Sequence, residues 1–250
     1  MQRRSLNMLL AIGGVILLVG AAIFAYILRP TAAPSGELTA VPVELNTPEI
    51  ISVTVEATDM ATALPDTEEA ISGAIVFELD PAESEVRFSI DEILRGEETT
   101  AVGITDQIAG QIVVDLDDPG SAQVGVIQVN ARTLATDSEN RNRAIRNEIL
   151  DTDDYELISF VPTELLGLPD SVSVGESFSF QIVGDLTIRH ITQQVSFATT
   201  VSVDSEAQIS GSASTTIFRA DYELSIPQVP SVASVEDDIL LEIDFVAPAQ

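Results

Sequence analysis

The chain has 250 residues, and its 40 acidic residues against 11 basic ones give a formal net charge of −29. All basic residues are arginines, there is no lysine or cysteine, and His190 is the single histidine. This composition excludes a Walker-type phosphate loop, Schiff-base chemistry, thiol catalysis, disulfides and cysteine- or histidine-rich metal sites, and it argues against binding to nucleic acid. Hydrophobic residues make up 45% of the chain, which is ample for a core.

Residues 9–28 form an uncharged apolar run, LLAIGGVILLVGAAIFAYIL. As a helix this run would be about 30 Å long, the thickness of a bilayer's hydrocarbon core. Because Arg3 and Arg4 precede it, the positive-inside rule predicts a single-pass protein of the cell membrane with a cytoplasmic N-terminus and an extracytoplasmic remainder. We assign residues 1–29 to a cytoplasmic stub and a transmembrane signal anchor. A cleaved signal peptide is the alternative, which the length of the run disfavours.

Residues 30–73 differ in composition from both neighbours. Prolines interrupt a stretch rich in Thr, Ala, Glu and Val, and aromatic residues are absent. Such a segment buries too little apolar surface to offset its ordering entropy. We therefore predict a flexible linker that holds the following domain off the membrane.

Residues 74–247 contain short runs in which apolar and polar residues alternate, separated by Gly, Pro, Asp or Asn. This period of two is typical of antiparallel strands with one apolar face. Residues 117–120, Asp-Asp-Pro-Gly, predict a turn between two of the runs. The apolar positions of the clearest runs are Val86, Phe88 and Ile90; Phe178, Phe180, Ile182, Leu186 and Ile188; Val195, Phe197, Val201 and Val203; and Ile239, Leu241, Ile243 and Phe245.

One stretch of the domain, residues 137–150, does not follow this period. It offers Asp137 or Ser138 as an N-cap and places Ile145, Ile149 and Leu150 on one side, which predicts a short helix. Many strands with one helix favour an all-β fold, either a closed barrel or a sandwich, and the pattern does not choose between them.

Four stretches of the domain resemble motifs of the YceI-like family, whose members are polyisoprenoid-binding, lipocalin-like barrels. Residues 77–90, FELDPAESEVRFSI, resemble its first motif, and Asn140 and Arg141 followed by Ile-Leu-Asp at 149–151 resemble its middle segment. Residues 183–195, VGDLTIRHITQQV, resemble its Gly-Asp-Leu-Thr-Ile hairpin, and residues 215–222, TTIFRADY, resemble a strand near its C-terminus. The likeness covers residues 74–247 in the family's order, although Arg189-His190 stands where members often carry a turn glycine.

The resemblance implies an eight-stranded antiparallel lipocalin-like barrel that holds a polyisoprenoid or similar long-chain amphiphile. A long hydrocarbon chain binds mainly by apolar burial, at about 25 cal/mol per Å², and needs no catalytic group, cofactor or metal. The candidate lining residues are apolar positions on the expected inner face, which could equally fill a solid core. They are Phe88, Ile90, Phe160, Phe178, Phe180, Ile182, Phe197 and Phe218.

Four arginines, Arg132, Arg141, Arg143 and Arg146, lie within a short stretch around the predicted helix. Their guanidinium groups could hold a phosphate or carboxylate head group in a bidentate manner. Ordinary ion pairs with the acidic surface are the favoured alternative. Arg141 is the candidate head-group residue, because it falls within the family motif.

The remaining polar candidates favour structural roles. Arg219 and Asp221 are expected to pair on one strand face, and Arg189 and His190 to be exposed turn residues. With no second histidine and no Gly-x-Ser-x-Gly motif, a hydrolase triad has no support, and we predict that the protein is not an enzyme.

The acidic run at Asp115, Asp117 and Asp118 approaches the opening of an EF-hand loop. Pro119 and Val126, however, occupy positions that calcium ligands need, so a solvated turn is the preferred interpretation over weak calcium binding. The sequence thus predicts a membrane-anchored extracytoplasmic protein whose partners are an isoprenoid or other long-chain lipid and, through residues 9–28, the membrane. A structural or stress-related surface module with a filled barrel is the alternative.

Overall fold

The computed structural model describes residues 32–43, 73–228 and 232–250. The predicted transmembrane segment, residues 9–28, and most of the predicted linker lie outside these ranges. Within them, no helix has the length and apolar character needed to cross a membrane.

The domain is built from antiparallel strands, as the period of two predicts. The described residues contain thirteen strands: β1 (Ala74–Glu78), β2 (Glu85–Leu94), β3 (Glu97–Thr105), β4 (Ile108–Ala109), β5 (Gln111–Asp115), β6 (Asp118–Val124), β7 (Ile127–Asn130), β8 (Leu157–Leu166), β9 (Ser177–Ile188), β10 (Ile191–Ser205), β11 (Gln208–Phe218), β12 (Val232–Val235) and β13 (Asp238–Pro248). The prediction of eight strands is therefore wrong. Short strands raise the number: Gly110 separates β4 from β5, which pair in different sheets, and β12 is a four-residue strand at a sheet edge.

Two sheets make up a nearly closed barrel. The larger sheet has the order β12-β2-β13-β11-β10-β9-β8-β7-β4, with β3 also paired to β2, and the smaller one has the order β1-β5-β6. A bridge between Phe77 and Ala249 joins β1 to the end of β13, and a bridge between Ile104 and Ala135 joins β3 to the segment after β7. The architecture is thus a barrel, which the strand pattern alone had left open against a sandwich.

In the longest hairpin, formed by β9 and β10, inward and outward residues alternate as the sequence predicts. β9 and β10 pair without a register shift from Ile188 with Ile191 to Ser177 with Ser202. The two-residue turn between them places Arg189 at a φ of 57°, in the left-handed region that favours glycine. A side chain with a Cβ therefore occupies the strained position of this turn.

The turn between β5 and β6 lies earlier than predicted. Leu116 and Asp117 form the turn, whereas Pro119 and Gly120 lie inside β6. The Asp117 amide donates to Oδ1 of Asp115 over 2.9 Å, which closes the turn locally. A proline fits in β6 because this strand is the edge of its sheet and one row of its amides needs no strand partner.

The predicted helix forms, in a shorter and less regular shape than the sequence suggests. It consists of α1 (Glu139–Ala144) followed by a π-helical turn (Ile145–Ile149). The Ser138 hydroxyl accepts a long hydrogen bond from the Arg141 amide, so Ser138 is the N-cap. Ile145 and Leu150 are buried, with Ile149 beside them, as the spacing predicts.

Residues 32–43, which we call the strap, lie against the barrel although the sequence assigns them to the flexible linker. The Ser35 amide and hydroxyl donate to the two carboxylate oxygens of Glu156 over 2.6 and 2.7 Å. Further along, the Val43 amide donates to the Gln111 side chain over 3.2 Å, and Ala40 is buried. The low hydrophobicity of this segment does not prevent docking, because hydrogen bonds to polar groups of the barrel replace apolar burial.

Candidate functional site

An apolar cavity of about 280 Å³ runs through the interior of the barrel. Its walls come from two clusters of buried residues. One cluster gathers at the end covered by α1, around Phe160, Leu186 and Ile217, and the other at the opposite end, around Val203 and Phe245. The cavity is slightly smaller than the range of about 300–1,000 Å³ that is usual for small-molecule sites.

The lining is aliphatic and aromatic over nearly all of its length. β9 alone contributes Phe178, Phe180, Ile182, Leu186 and Ile188, a stretch of about 33 Å at about 3.3 Å per residue. The site is therefore long and narrow, and its chemistry suits a hydrocarbon chain.

The barrel wall has a seam between β6 and β8. In the described part of the chain, β6 pairs only with β5, and residues 161–166 of β8 pair only with β9. Ala122 and Val124 of β6 and Leu165 of β8 all line the cavity. Residues on both sides of the seam thus belong to the cavity wall, although in the described part of the chain no strand pairing joins β6 to this part of β8.

Seven of the eight predicted lining residues do line the cavity: Phe88, Ile90, Phe160, Phe178, Phe180, Ile182 and Phe197. The placement of Phe218 in the lining is wrong. Phe218 is 49% exposed, because its neighbour Ile217 occupies the inward position at the end of β11. The predicted strand-face pair of Arg219 and Asp221 is also wrong, because β11 ends at Phe218 and both residues lie in a 3₁₀ turn. Arg219 lies 3.9 Å from Asp237 instead.

Arg141 reaches the cavity from α1, and its guanidinium is already occupied by two carboxylates. It donates to Oε1 of Glu92 over 2.7 Å and pairs with Asp137 one helical turn away. The Glu92 side chain is only 7% exposed, whereas that of Asp137 is 85% exposed. The buried pair ties α1 to β2 at this end of the barrel.

Glu92 is the functional candidate that the sequence analysis missed. It continues the parity of Val86, Phe88 and Ile90 and therefore faces inward, where it lines the cavity. Extending the same alternation by two residues along β2, from Ile90 to Glu92, would have identified this residue. A carboxylate in this position is tolerated because Arg141 supplies a charged hydrogen bond.

The ion-pair interpretation of the arginine cluster also fits Arg132. This buried side chain donates to the carbonyl oxygens of Ala33 and Thr152 and lies 3.1 Å from Glu156. Burial by itself favours the neutral form of Glu156, but hydrogen bonds from Ser35 and Asn130 and the charge of Arg132 hold the pKa of Glu156 below its usual range. Together these contacts fasten the strap.

The Arg189-His190 turn packs beside Tyr155 at the α1 end. The Arg189 guanidinium lies 5.9 Å from the centre of the Tyr155 ring, and the His190 ring lies 5.7 Å from it. His190 is exposed and Arg189 half-buried, and neither lines the cavity. In the described ranges, no three His, Asp or Glu side chains are grouped so that they could hold a metal ion.

The fold and the cavity define a class of protein: an all-β barrel with an elongated apolar interior and a helix over one end. Residues 77–247 match the model of the YceI-like domain, and the chain belongs to this family. Among curated proteins, none matches the chain.

Several solved structures share the fold. A polyisoprenoid binding domain from Saccharophagus degradans implicated in plant cell wall breakdown is 16% identical with a TM-score of 0.56, over 70% of this chain and 99% of that one. BcnA of Burkholderia cenocepacia is 15% identical with a TM-score of 0.54, over 67% of this chain and 98% of that one. At these identities the likeness concerns the fold.

Proposed function

We propose that the protein is a non-enzymatic lipid-binding protein that holds a polyisoprenoid or similar long-chain amphiphile in its barrel. The observation that carries this proposal is the apolar cavity, which extends between both core clusters and is lined by seven of the residues expected to contact a lipid chain. Membership of the YceI-like family and the fold shared with a polyisoprenoid binding domain support the same ligand class.

The energetics of the cavity favour an occupant. Each buried methylene contributes about 0.8 kcal/mol, so one five-carbon isoprene unit supplies about 4 kcal/mol before the entropy of association is subtracted. Because association costs about 4–15 kcal/mol, a ligand of several units is needed for measurable binding, which favours a long chain.

Native mass spectrometry of the detergent-solubilised full chain tests the proposal. We expect a species heavier than the protein by one lipid mass, either as purified or after mixing with the C20 prenol geranylgeraniol. Ala213→Leu, which narrows the cavity from β11, should reduce the bound fraction, whereas Ala198→Leu on the outer face of β10 should not. Recovery of the unliganded mass alone under all these conditions would contradict lipid binding.

We further propose that residues 9–28 anchor the protein in the cell membrane, with the barrel outside the cytoplasm. The uncharged run and the preceding arginines support this orientation. The Ala32 amide donates to Asp153 over 3.0 Å at the α1 end of the barrel. Four residues reach at most about 14 Å, so an anchor that ends at residue 28 would keep this end close to the bilayer.

Extraction of isolated membranes at alkaline pH, followed by protease treatment of intact spheroplasts, tests the anchor. The full chain should stay in the membrane pellet, and the barrel should be cut from outside. A chain that lacks residues 1–29 should be released into the soluble fraction. Release of the full chain by alkaline extraction would contradict the anchor and leave lipid binding by the barrel unaffected.

A filled structural barrel, the alternative function, has less support. A filled interior leaves no volume for a ligand, whereas this barrel encloses about 280 Å³ beside small residues such as Ala101 and Ala213. No observation on the described residues favours a second function.

A further inference from the structure

The charged groups around the cavity restrict the head group of its ligand, an inference that rests on the proposed lipid binding. Three arginines contribute to the lining: Arg141 and Arg87 are hydrogen-bonded to carboxylates, and Arg219 lies 3.9 Å from one. Arg141 pairs with Glu92 and Asp137, Arg87 with Glu85, Glu242 and Asp244, and Arg219 with Asp237. Six carboxylates therefore lie within 4 Å of these three guanidinium groups.

The pair of Glu92 and Arg141 decides the polarity of the α1 end. The Glu92 carboxylate is 7% exposed and lies 2.7 Å from the Arg141 guanidinium, so water does not screen the interaction effectively. A phosphate that approached Arg141 from the cavity would also approach Glu92, whose charge repels it. To take the place of Glu92, the phosphate would have to leave a buried carboxylate without its cation, which is costly.

The part of the cavity wall beside the seam between β6 and β8 offers no cation either. Residues 111–124 and 157–176, which include β5, β6, β8 and the loop before β9, carry six acidic residues and no basic one. These segments supply Val124, Leu165 and Leu168 to the lining. A head group that rested at the seam would therefore meet a negative potential, which the net charge of −29 reinforces.

We infer that the cavity selects long-chain lipids with an uncharged head, such as a prenol or a quinone, and rejects the phosphate esters of the same chains. Glu92 is the residue that sets this selectivity, because it cancels the one guanidinium that reaches the cavity from α1. The selection acts through repulsion of the wrong ligand and does not require a specific contact with the right one.

Two ligands with the same tail test the inference: geranylgeraniol and geranylgeranyl monophosphate. Binding of each radiolabelled lipid is measured to the full chain in phosphatidylcholine nanodiscs, with empty nanodiscs subtracted. We expect the alcohol to bind at least about tenfold more tightly than the monophosphate. Equal affinities, or tighter binding of the monophosphate, would overturn the inference while leaving lipid binding intact.

Glu92→Gln is the diagnostic variant, because it keeps the size and hydrogen-bonding capacity of the side chain and removes its charge. Affinity for the monophosphate should rise about tenfold, with little change for the alcohol. Glu98→Gln, which removes an exposed carboxylate of β3 that lies outside the lining, is the matched control and should change neither affinity.

An unchanged monophosphate affinity in a folded Glu92→Gln protein would show that Glu92 does not set the selectivity. Should this variant fail to fold, the comparison of the two ligands on the native chain still decides whether charged heads are rejected. Binding of neither lipid by the native chain would overturn the proposed function itself, and the head-group inference with it.

Discussion

Ala213→Leu distinguishes an open cavity from a packed core. Ala213 is 8% exposed, lies in β11 between Thr199 and Ile243, and lines the cavity. Leucine adds three carbon atoms, which at about 0.8 kcal/mol each amount to about 2 kcal/mol of additional apolar burial. If the added atoms enter empty space, the free energy of unfolding should therefore rise by up to about 2 kcal/mol.

The same substitution should weaken lipid binding. The added atoms take space that the ligand would otherwise fill, so geranylgeraniol should lose up to about 2 kcal/mol of binding free energy, or roughly thirtyfold in affinity. Chemical denaturation without ligand and equilibrium binding of the prenol measure the two effects separately. Ala198→Leu, on the outer face of the neighbouring strand β10, is the control and should change neither by more than about 0.5 kcal/mol.

The opposite outcome would refute the cavity. In a solid core the leucine would overpack the interior and lower the free energy of unfolding by about 1–3 kcal/mol. A destabilised Ala213→Leu protein whose prenol affinity equals that of the native chain would contradict the argument that the cavity is the binding site.

Three further predictions concern stability. Burial, with a smaller contribution from the charge of Asp221, raises the pKa of Tyr222 to about 12. The free energy of unfolding should therefore be at its full value below about pH 10 and fall by about 3 kcal/mol in all as the pH rises toward 12. Tyr222→Phe should remove this alkaline loss in denaturation curves recorded from pH 8 to 12, and a curve unchanged from that of the native chain would contradict it. Arg132→Met should speed hydrogen exchange across residues 32–43, because it removes the charge that binds the strap. In the native chain the pKa of Glu156 is lowered, so the protection of the strap should be full above the ordinary carboxyl pKa and be lost as the pH falls below it. Exchange at an equal rate in the variant would show that the strap is held elsewhere. Gly184→Ala should destabilise the barrel by about 1–3 kcal/mol, since its Cβ would lie 2.5 Å from the Val161 carbonyl oxygen, and a thermal midpoint within 1–2 °C of the native one would count against this close approach.

Much of the fold could be predicted from the sequence because strand and helix periodicities are local. Period two placed Phe178, Phe180 and Ile182 on one face of one strand, and the spacing of Ile145 and Leu150 after Ser138 located the helix. Phe218 shows the limit of this reading: it follows Ile217 directly, so two apolar residues compete for one inward position. Only the registry of β11 against its neighbours decides which of them is buried.

For the candidate site, the same local rule predicted the lining residues but not the contacts between residues distant in sequence. Alternation identified the faces that became the lining, and Glu92 was available by the same rule. Its pairing with Arg141, however, joins residues 49 positions apart, and the docking of the strap on Glu156 spans 121. Contacts between residues so far apart in sequence depend on the tertiary fold, which local sequence patterns do not predict.

Composition alone limits the possible chemistry: without lysine or cysteine and with one histidine, the chain has no thiol, Schiff-base or histidine-rich metal chemistry. The sequence also determined that the strands are antiparallel with one apolar face. Only contacts between distant parts of the chain make these faces enclose space, pair a carboxylate with the arginine at one end, and dock part of the linker on the barrel. The physical reason is that side-chain parity is fixed by the local backbone geometry of a strand, whereas the width of a barrel and the partner of a buried charge are fixed by elements distant in sequence.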